Sequence, residues 1–199
     1  MFTDLRRMRL VLCTGNKGKV EELRALLPAR YEILSMADVG LPEDLPETSA
    51  TLIGNALEKA RFAFERCGVP CLADDTGLEV VALSGAPGVR SARYAGPAKD
   101  PVQNMQLLLQ EMKAVTDRRA CFRTVIALVD AEGEQCFEGV VNGAILSARR
   151  GDHGFGYDPL FMPEGFDLSF AEMDSTAKNR ISHRGEAMRK AIAFLAQRY

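Results

Sequence analysis

The stretch that decides the fold is Arg9-Leu10-Val11-Leu12-Cys13-Thr14-Gly15-Asn16-Lys17-Gly18-Lys19. Its apolar run breaks at Thr-Gly-Asn. Val20, Leu23, Leu26 and Leu27 then recur at helical spacing until Pro28. That pattern predicts a strand, a turn and a helix. Working outward, Tyr31 to Met36 reads as a second short strand, and residues 38–47 as an acidic loop with two prolines. Ile53, Ala56, Leu57, Ala60 and Phe64 mark a long helix ending before Gly68. Val69 to Ala73 is a short strand leading into Asp74-Asp75-Thr76-Gly77, and Leu78 to Leu83 a further strand. Val102, Met105, Leu108, Leu109 and Met112 give another helix. Cys121 to Val129 and Gln135 to Ile145 read as a hairpin joined by Asp130-Ala131-Glu132-Gly133. Gly151 to Pro163 is a loop, and a last helix carries Ala187, Met188, Ala191, Ile192 and Leu195 on one face. Strands and helices alternate early and a hairpin comes late, so the class is α/β with a mixed sheet.

The chain of 199 residues is 47% apolar and 26% charged, with a formal net charge of −2. This is globular composition, and a chain this long buries roughly 70% of its unfolded surface without a disulfide or metal staple. One domain over residues 1–199, in one or two lobes, is the expectation, with residues 1–7 a loose extension. The balanced charge gives no general pull toward nucleic acid or a membrane surface. No apolar run approaches the ~18 residues of a membrane span. Five cysteines, an odd count without a secretory leader, imply reduced thiols and a cytoplasmic location. Cys67 and Cys71 have a spacing zinc can use, but no second Cys/His pair completes a site.

Four segments carry chemistry. Thr14 to Lys19, between strand and helix, presents backbone N–H groups and a positive helix end suited to phosphate, with Lys17 and Lys19 adding charge. It is not a Walker A loop, because two residues rather than four separate Gly15 from Gly18-Lys19. Asp74-Asp75-Thr76-Gly77 is either a tight turn or a carboxylate pair for a divalent ion. Glu47, just ahead of a helix, is either a helix-start acid or a metal ligand. Asn55 and Lys59 share one face of that helix. Phe155-Gly156-Tyr157-Asp158 lies in a loop and Lys178, Ser182, His183 and Arg184 precede the last helix. A ring there can stack on a base, and a His-Arg pair can donate to its carbonyl oxygens. Together these are the parts of a metal-dependent nucleotide hydrolase, without the bond or the base specified.

Five stretches in order carry a resemblance: LVLCTGNKGKVEEL, ETSATLIGNALEKA, LADDTGLEV with GAPGVRSARYAG, GFGYDPLF and KNRISHRGEAM. From about Arg9 to the C-terminal helix the chain resembles the RdgB-type dITP/XTP pyrophosphatases, the family that includes inosine triphosphate pyrophosphatases. The resemblance implies an ITPase-like fold, an elongated two-lobed mixed sheet flanked by helices with a cleft between lobes, and a homodimer. It implies hydrolysis of dITP, ITP and XTP to the monophosphate and pyrophosphate. By the same resemblance Thr14, Gly15, Asn16, Lys17, Gly18 and Lys19 bind the triphosphate, and Lys59 adds charge. Glu47 with Asp74 or Asp75 holds Mg²⁺, and Asp75 is the general base, with Lys19 the second catalytic group. Thr76 touches substrate, Phe155 stacks on the purine, and Gly156, Tyr157 and Asp158 shape that wall. Lys178, His183 and Arg184 read the base edge. Cys13 replaces a usual Ala, Leu52 a frequent Phe and Gly54 a frequent acid. The alternative is a Maf-like pyrophosphatase acting on modified pyrimidines. A nucleotide-binding module without turnover is a third reading.

Overall fold

The computed structural model describes residues 8–198, so the expected loose extension at residues 1–7 lies outside them. The strands are β1 (Met8–Leu12), β2 (Tyr31–Ser35), β3 (Cys71–Val80), β4 (Pro87–Gly88), β5 (Arg119–Asp130), β6 (Gly133–Ile145) and β7 (Phe161–Pro163). The helices are α1 (Lys17–Leu26), α2 (Leu52–Cys67), α3 (Pro101–Glu111), α4 (Ser175–Ile181) and α5 (His183–Arg198). Strand order is β2-β1-β3-β5-β6-β7, with β4 paired to β3. β1 runs parallel to β2 and β3, while β4 on β3 and β7 on β6 are antiparallel. The class is therefore α/β with a mixed sheet, as the sequence pattern implies.

The chain divides into two compact units. The first comprises the residues up to Asp74, Ile126–Phe137 and the chain from Met188. The second comprises Asp75–Val125 and Glu138–Ala187.

In the first unit α1 starts where the sequence places it. Asn16 is extended and its side chain accepts from the Lys19 N–H at 3.1 Å, so it caps the helix. Thr51 caps α2 in the same way, and Gly68, left-handed at φ 63°, ends it. Ala56, Ala60 and Ala63, all fully buried, are spaced to form one face of α2. Leu10, Leu12 and Leu72, at 2% exposure or less, each contribute about 2 kcal/mol by leaving water. All five cysteines are free thiols. Cys71 lies 3.7 Å from Cys67, and its bond with Cys13, with burial, pushes its thiol far up.

In the second unit the core gathers Leu78, Met105, Leu108, Phe122, Phe161 and Phe170. The Phe122 and Phe161 rings lie 4.7 Å apart and tilted, a favoured aromatic geometry. Asp100 caps α3, accepting from the Val102 and Gln103 N–H groups, with Pro101 at its first position.

Three local expectations need correction. Asp74 to Gly77 is no turn: β3 runs unbroken through it, and Leu78 belongs to the same strand. Only Val81–Leu83 departs, as a 3-10 turn. Gly77 is what lets the strand continue, because a Cβ there would stand 2.7 Å from the Gly88 carbonyl oxygen on β4. His183 and Arg184 do not precede the last helix; they begin it, and Lys178 sits on its own short helix α4. The stretch Gly151–Pro163 is not all loop, since it ends in a 3-10 turn and β7.

Candidate active site

The candidate anion site of the first unit is built on the β1–α1 turn. Thr14 Oγ1 accepts from the Asn16 N–H at 3.3 Å, and the Asn16 side chain takes the Lys19 N–H. The N–H groups of Lys17 and Gly18 are then the first-turn donors that no intrahelical carbonyl can reach. Gly15, Asn16 and Lys17 are exposed. Lys19 reaches back from the turn, and its Nζ lies 3.0 Å from Asp74 Oδ2, a carboxylate with no exposed side-chain surface.

A second tether joins the 43–51 loop to α2. Lys59, 5% exposed, donates to Glu47 Oε1 at 2.6 Å and to the Asp74 carbonyl at 2.7 Å. One ammonium thus joins the loop carboxylate to β3. One turn from Lys59, Asn55 accepts from the Ser49 N–H at 2.9 Å. Glu58 takes both the N–H and the hydroxyl of Thr48 at 2.7 Å, and those bonds hold its carboxyl below the usual range. Gly54 has a local reason: a Cβ there would stand 1.9 Å from Ser49 Oγ.

Glu47, Asp74 and Asp75 offer oxygen alone, the donor type of a hard divalent ion. Among the described residues no three His, Cys, Asp or Glu side chains converge into a cage. Mg²⁺ needs none, because it binds through one or two carboxylates and fills the rest with water and phosphate oxygens. The residues present fit such an ion. Asp74 and Asp75 are consecutive in a strand buried on both faces, and the pleat sends neighbouring side chains opposite ways. Their work is therefore divided: Asp74 faces Lys19, and Asp75, 8% exposed, opens the second unit.

In the second unit a cluster of charged side chains gathers around Phe155. Lys178 Nζ sits 4.9 Å from that ring's centroid and the Arg184 guanidinium 5.4 Å. Lys178 donates to Asp158 Oδ2 at 2.6 Å, and the same oxygen accepts the Phe155 N–H at 2.8 Å. Arg184 is 2% exposed and donates to Thr76 Oγ1 at 3.2 Å. His183, 3% exposed, stacks on Phe122 with centroids 4.6 Å apart. Tyr157 belongs to the core: its hydroxyl donates to the Ser91 carbonyl at 2.9 Å, and burial pushes it well above the usual phenol range. Gly156, at φ 63°, makes the turn between Phe155 and Tyr157.

The structure thus brings Thr14, Asn16, Lys19, Glu47, Lys59 and Asp74 together in one unit. Thr76, Phe155, Asp158, Lys178 and Arg184 meet in the other. Sequence reading missed Glu58, Phe122 and Thr124. Thr124 alone leaves a trace: it is a hydroxyl in register with Phe122 and Ile126 inside an apolar strand.

Residues 10–194 match the profile of the Ham1 family. A Porphyromonas gingivalis protein named dITP/XTP pyrophosphatase is 52% identical over 188 residues, covering 94% of this chain and 97% of that one. Among solved structures, a Ham1 protein from Coxiella burnetii superposes with a TM-score of 0.88 at 37% identity, covering 96% and 99% of the two chains. A nucleoside-triphosphatase / dITP/XTP pyrophosphatase from Mycobacterium abscessus superposes at 0.76 and 39% identity, covering 93% and 99%. The Maf-like alternative finds no support among them.

Proposed function

The chain belongs to the Ham1 family, and from that membership we propose that it hydrolyses dITP, ITP and XTP to the monophosphate and pyrophosphate. The observation that carries the reading is 52% identity, over nearly both full lengths, to a protein named dITP/XTP pyrophosphatase. It removes deaminated purine nucleotides from the pool that polymerases draw on.

Thr14 to Lys19 hold the triphosphate on the N-terminus of α1. Lys19 and Lys59, on carboxylates at 3.0 and 2.6 Å, exchange onto phosphate oxygens as substrate arrives. Glu47 with Asp74 or Asp75 would hold Mg²⁺, which would supply charge neutralisation and a more acidic water. Asp75 accepts the water proton as its oxygen attacks the α-phosphorus. The bond to the bridging oxygen breaks, and pyrophosphate leaves.

Phe155 stacks on the purine, with Gly156, Tyr157 and Asp158 fixing its loop. Arg184 has only donors to offer, so it suits a 6-oxo group and meets the 6-amino group of adenine donor to donor. Leaving such groups unpaired costs about 1–3 kcal/mol each, enough with a second mismatch to exclude ATP. Lys178 and His183 complete the base edge.

The enzyme works as a cytoplasmic homodimer on this reading. The thiol cysteines support the compartment and the family resemblance the dimer. Among the described residues no helix is long and apolar enough to cross a membrane. Light scattering should give twice the 21.8 kDa of one chain.

The deciding experiment assays dITP, XTP, dGTP, ATP and dUTP with and without Mg²⁺, measuring pyrophosphate and orthophosphate separately. Metal-dependent pyrophosphate from dITP and XTP alone is expected. Orthophosphate as first product would overturn the bond assignment, and equal turnover of dUTP the base assignment.

A further inference from the structure

We propose that Thr124 is a positioning residue for base recognition, its hydroxyl holding Arg184 on target through Thr76. The inference rests on the reading of Arg184 as the group that addresses the base. Thr124 Oγ1 lies 2.7 Å from Thr76 Oγ1, and Arg184 Nη2 donates to that same Thr76 oxygen at 3.2 Å. Thr124 is wholly buried on β5, Thr76 is partly exposed on β3, and Arg184 starts α5 at 2% exposure. Three elements are thus joined by a chain of two hydrogen bonds, with its inner end closed to water.

Donor accounting gives the chain its direction. A guanidinium only donates, so Thr76 must accept from Arg184. A threonine oxygen has two lone pairs and one proton, and Thr124 engages either the second lone pair or the proton. In both cases it removes the rotational freedom of the Thr76 hydroxyl. Without Thr124, one of the bonds that fix the Thr76 hydroxyl is lost, and the oxygen it offers Arg184 is held less firmly. Valine matches threonine in shape while lacking the hydroxyl, and serine keeps the hydroxyl while lacking the methyl. The two substitutions therefore separate positioning from packing.

The test uses the full chain and two readouts. One is steady-state hydrolysis of dITP in Mg²⁺. The other is binding of dIMP without metal, which reports on the base end independently of turnover. Thr124→Val should weaken dIMP binding and raise KM for dITP about five- to tenfold, the weight of one hydrogen bond, with kcat little changed. Thr124→Ser should restore most of both. In a Thr76→Val background, Thr124→Val should add nothing, because the chain is already broken. Wild-type behaviour of Thr124→Val would overturn the proposal. So would an undiminished penalty in the Thr76→Val background, or failure of Thr124→Ser to recover. A wild type that binds dIMP but releases no pyrophosphate from dITP would instead sink the enzymatic reading, leaving dIMP binding to decide on Thr124. A wild type that does neither overturns both.

Discussion

A single oxygen of Asp158, Oδ2, holds both the Lys178 ammonium at 2.6 Å and the Phe155 backbone N–H at 2.8 Å. Both side chains of the ion pair are only 5% exposed. Removing the carboxylate charge would leave Lys178 buried against the faces of Phe155 and Phe170, at 4.9 and 5.6 Å. Asp158→Asn should therefore cost about 3 kcal/mol of stability, read as a lower urea midpoint. Adding Lys178→Met should recover much of it, since the stranded charge is then gone. A midpoint unchanged in Asp158→Asn would show that the pair is not coupled to folding.

On the proposed mechanism Asp75 is the residue on which the chemical step turns. Asp75→Asn should lower kcat more than ~100-fold while nucleotide still binds, because an amide cannot take the water proton. Single-turnover assays with dITP, beside a binding titration, separate the two effects. Near-wild-type turnover would remove Asp75 from the role of base.

Glu58 touches no substrate on this reading, yet its grip on Thr48 fixes the residue next to Glu47. Glu58→Gln should raise the Mg²⁺ concentration for half-maximal rate several-fold, with kcat at saturating metal nearly unchanged. The sign with pH follows from the direction of its shift. The folded-state pKa is depressed by the Thr48 bonds from an ordinary 4.5, so its contribution is full above that value. It is lost as pH falls through the folded pKa. The gap in stability between wild type and Glu58→Gln should therefore close in acid, followed by denaturation at pH 7 and pH 3. A gap that widened in acid would reverse the assignment.

Gly139 on β6 is placed where a Cβ would stand 2.0 Å from the His183 carbonyl oxygen and 2.6 Å from the Ala187 nitrogen. Both are backbone atoms and cannot swing aside. Gly139→Ala should cost about 1–3 kcal/mol and raise KM for dITP, since the helix carrying His183 and Arg184 must shift. Equal thermal midpoints and equal KM would disprove the seat.

Much of this was legible in the sequence because it rests on local rules. The β1–α1 turn, the end of α2 at Gly68, and the hairpin turn all follow from neighbours in the chain. The acidic pair misled for a physical reason: Asp-Asp-Thr-Gly has turn composition, but burial on both faces keeps it in a continuous strand. Placing His183 and Arg184 before α5 failed because the apolar face that marks the helix begins at Ala187, and His183 to Glu186 carry no apolar side chain. The Ser182 hydroxyl in fact accepts the Gly185 N–H at 3.1 Å, and the helix closes at once. Gly185 is also required there, since a Cβ would lie 1.9 Å from the Asn179 carbonyl oxygen. Thr124 and Glu58 were out of reach, because their partners lie 48 and 10 residues away in the chain.

The bare backbone contact at Gly139 has one more consequence. At Gly139 the backbone of β6 meets the backbone of the first α5 turns, and beside it the Val140 N–H is held by Glu186 Oε2 at 3.0 Å. The first α5 turns are therefore seated directly on a strand. Their hydrogen exchange should track the opening of the sheet itself, slower by orders of magnitude than that of the exposed Asp152–Gly154 segment. On the proposed function, the residues that read the base are then carried by the sheet rather than by a loop.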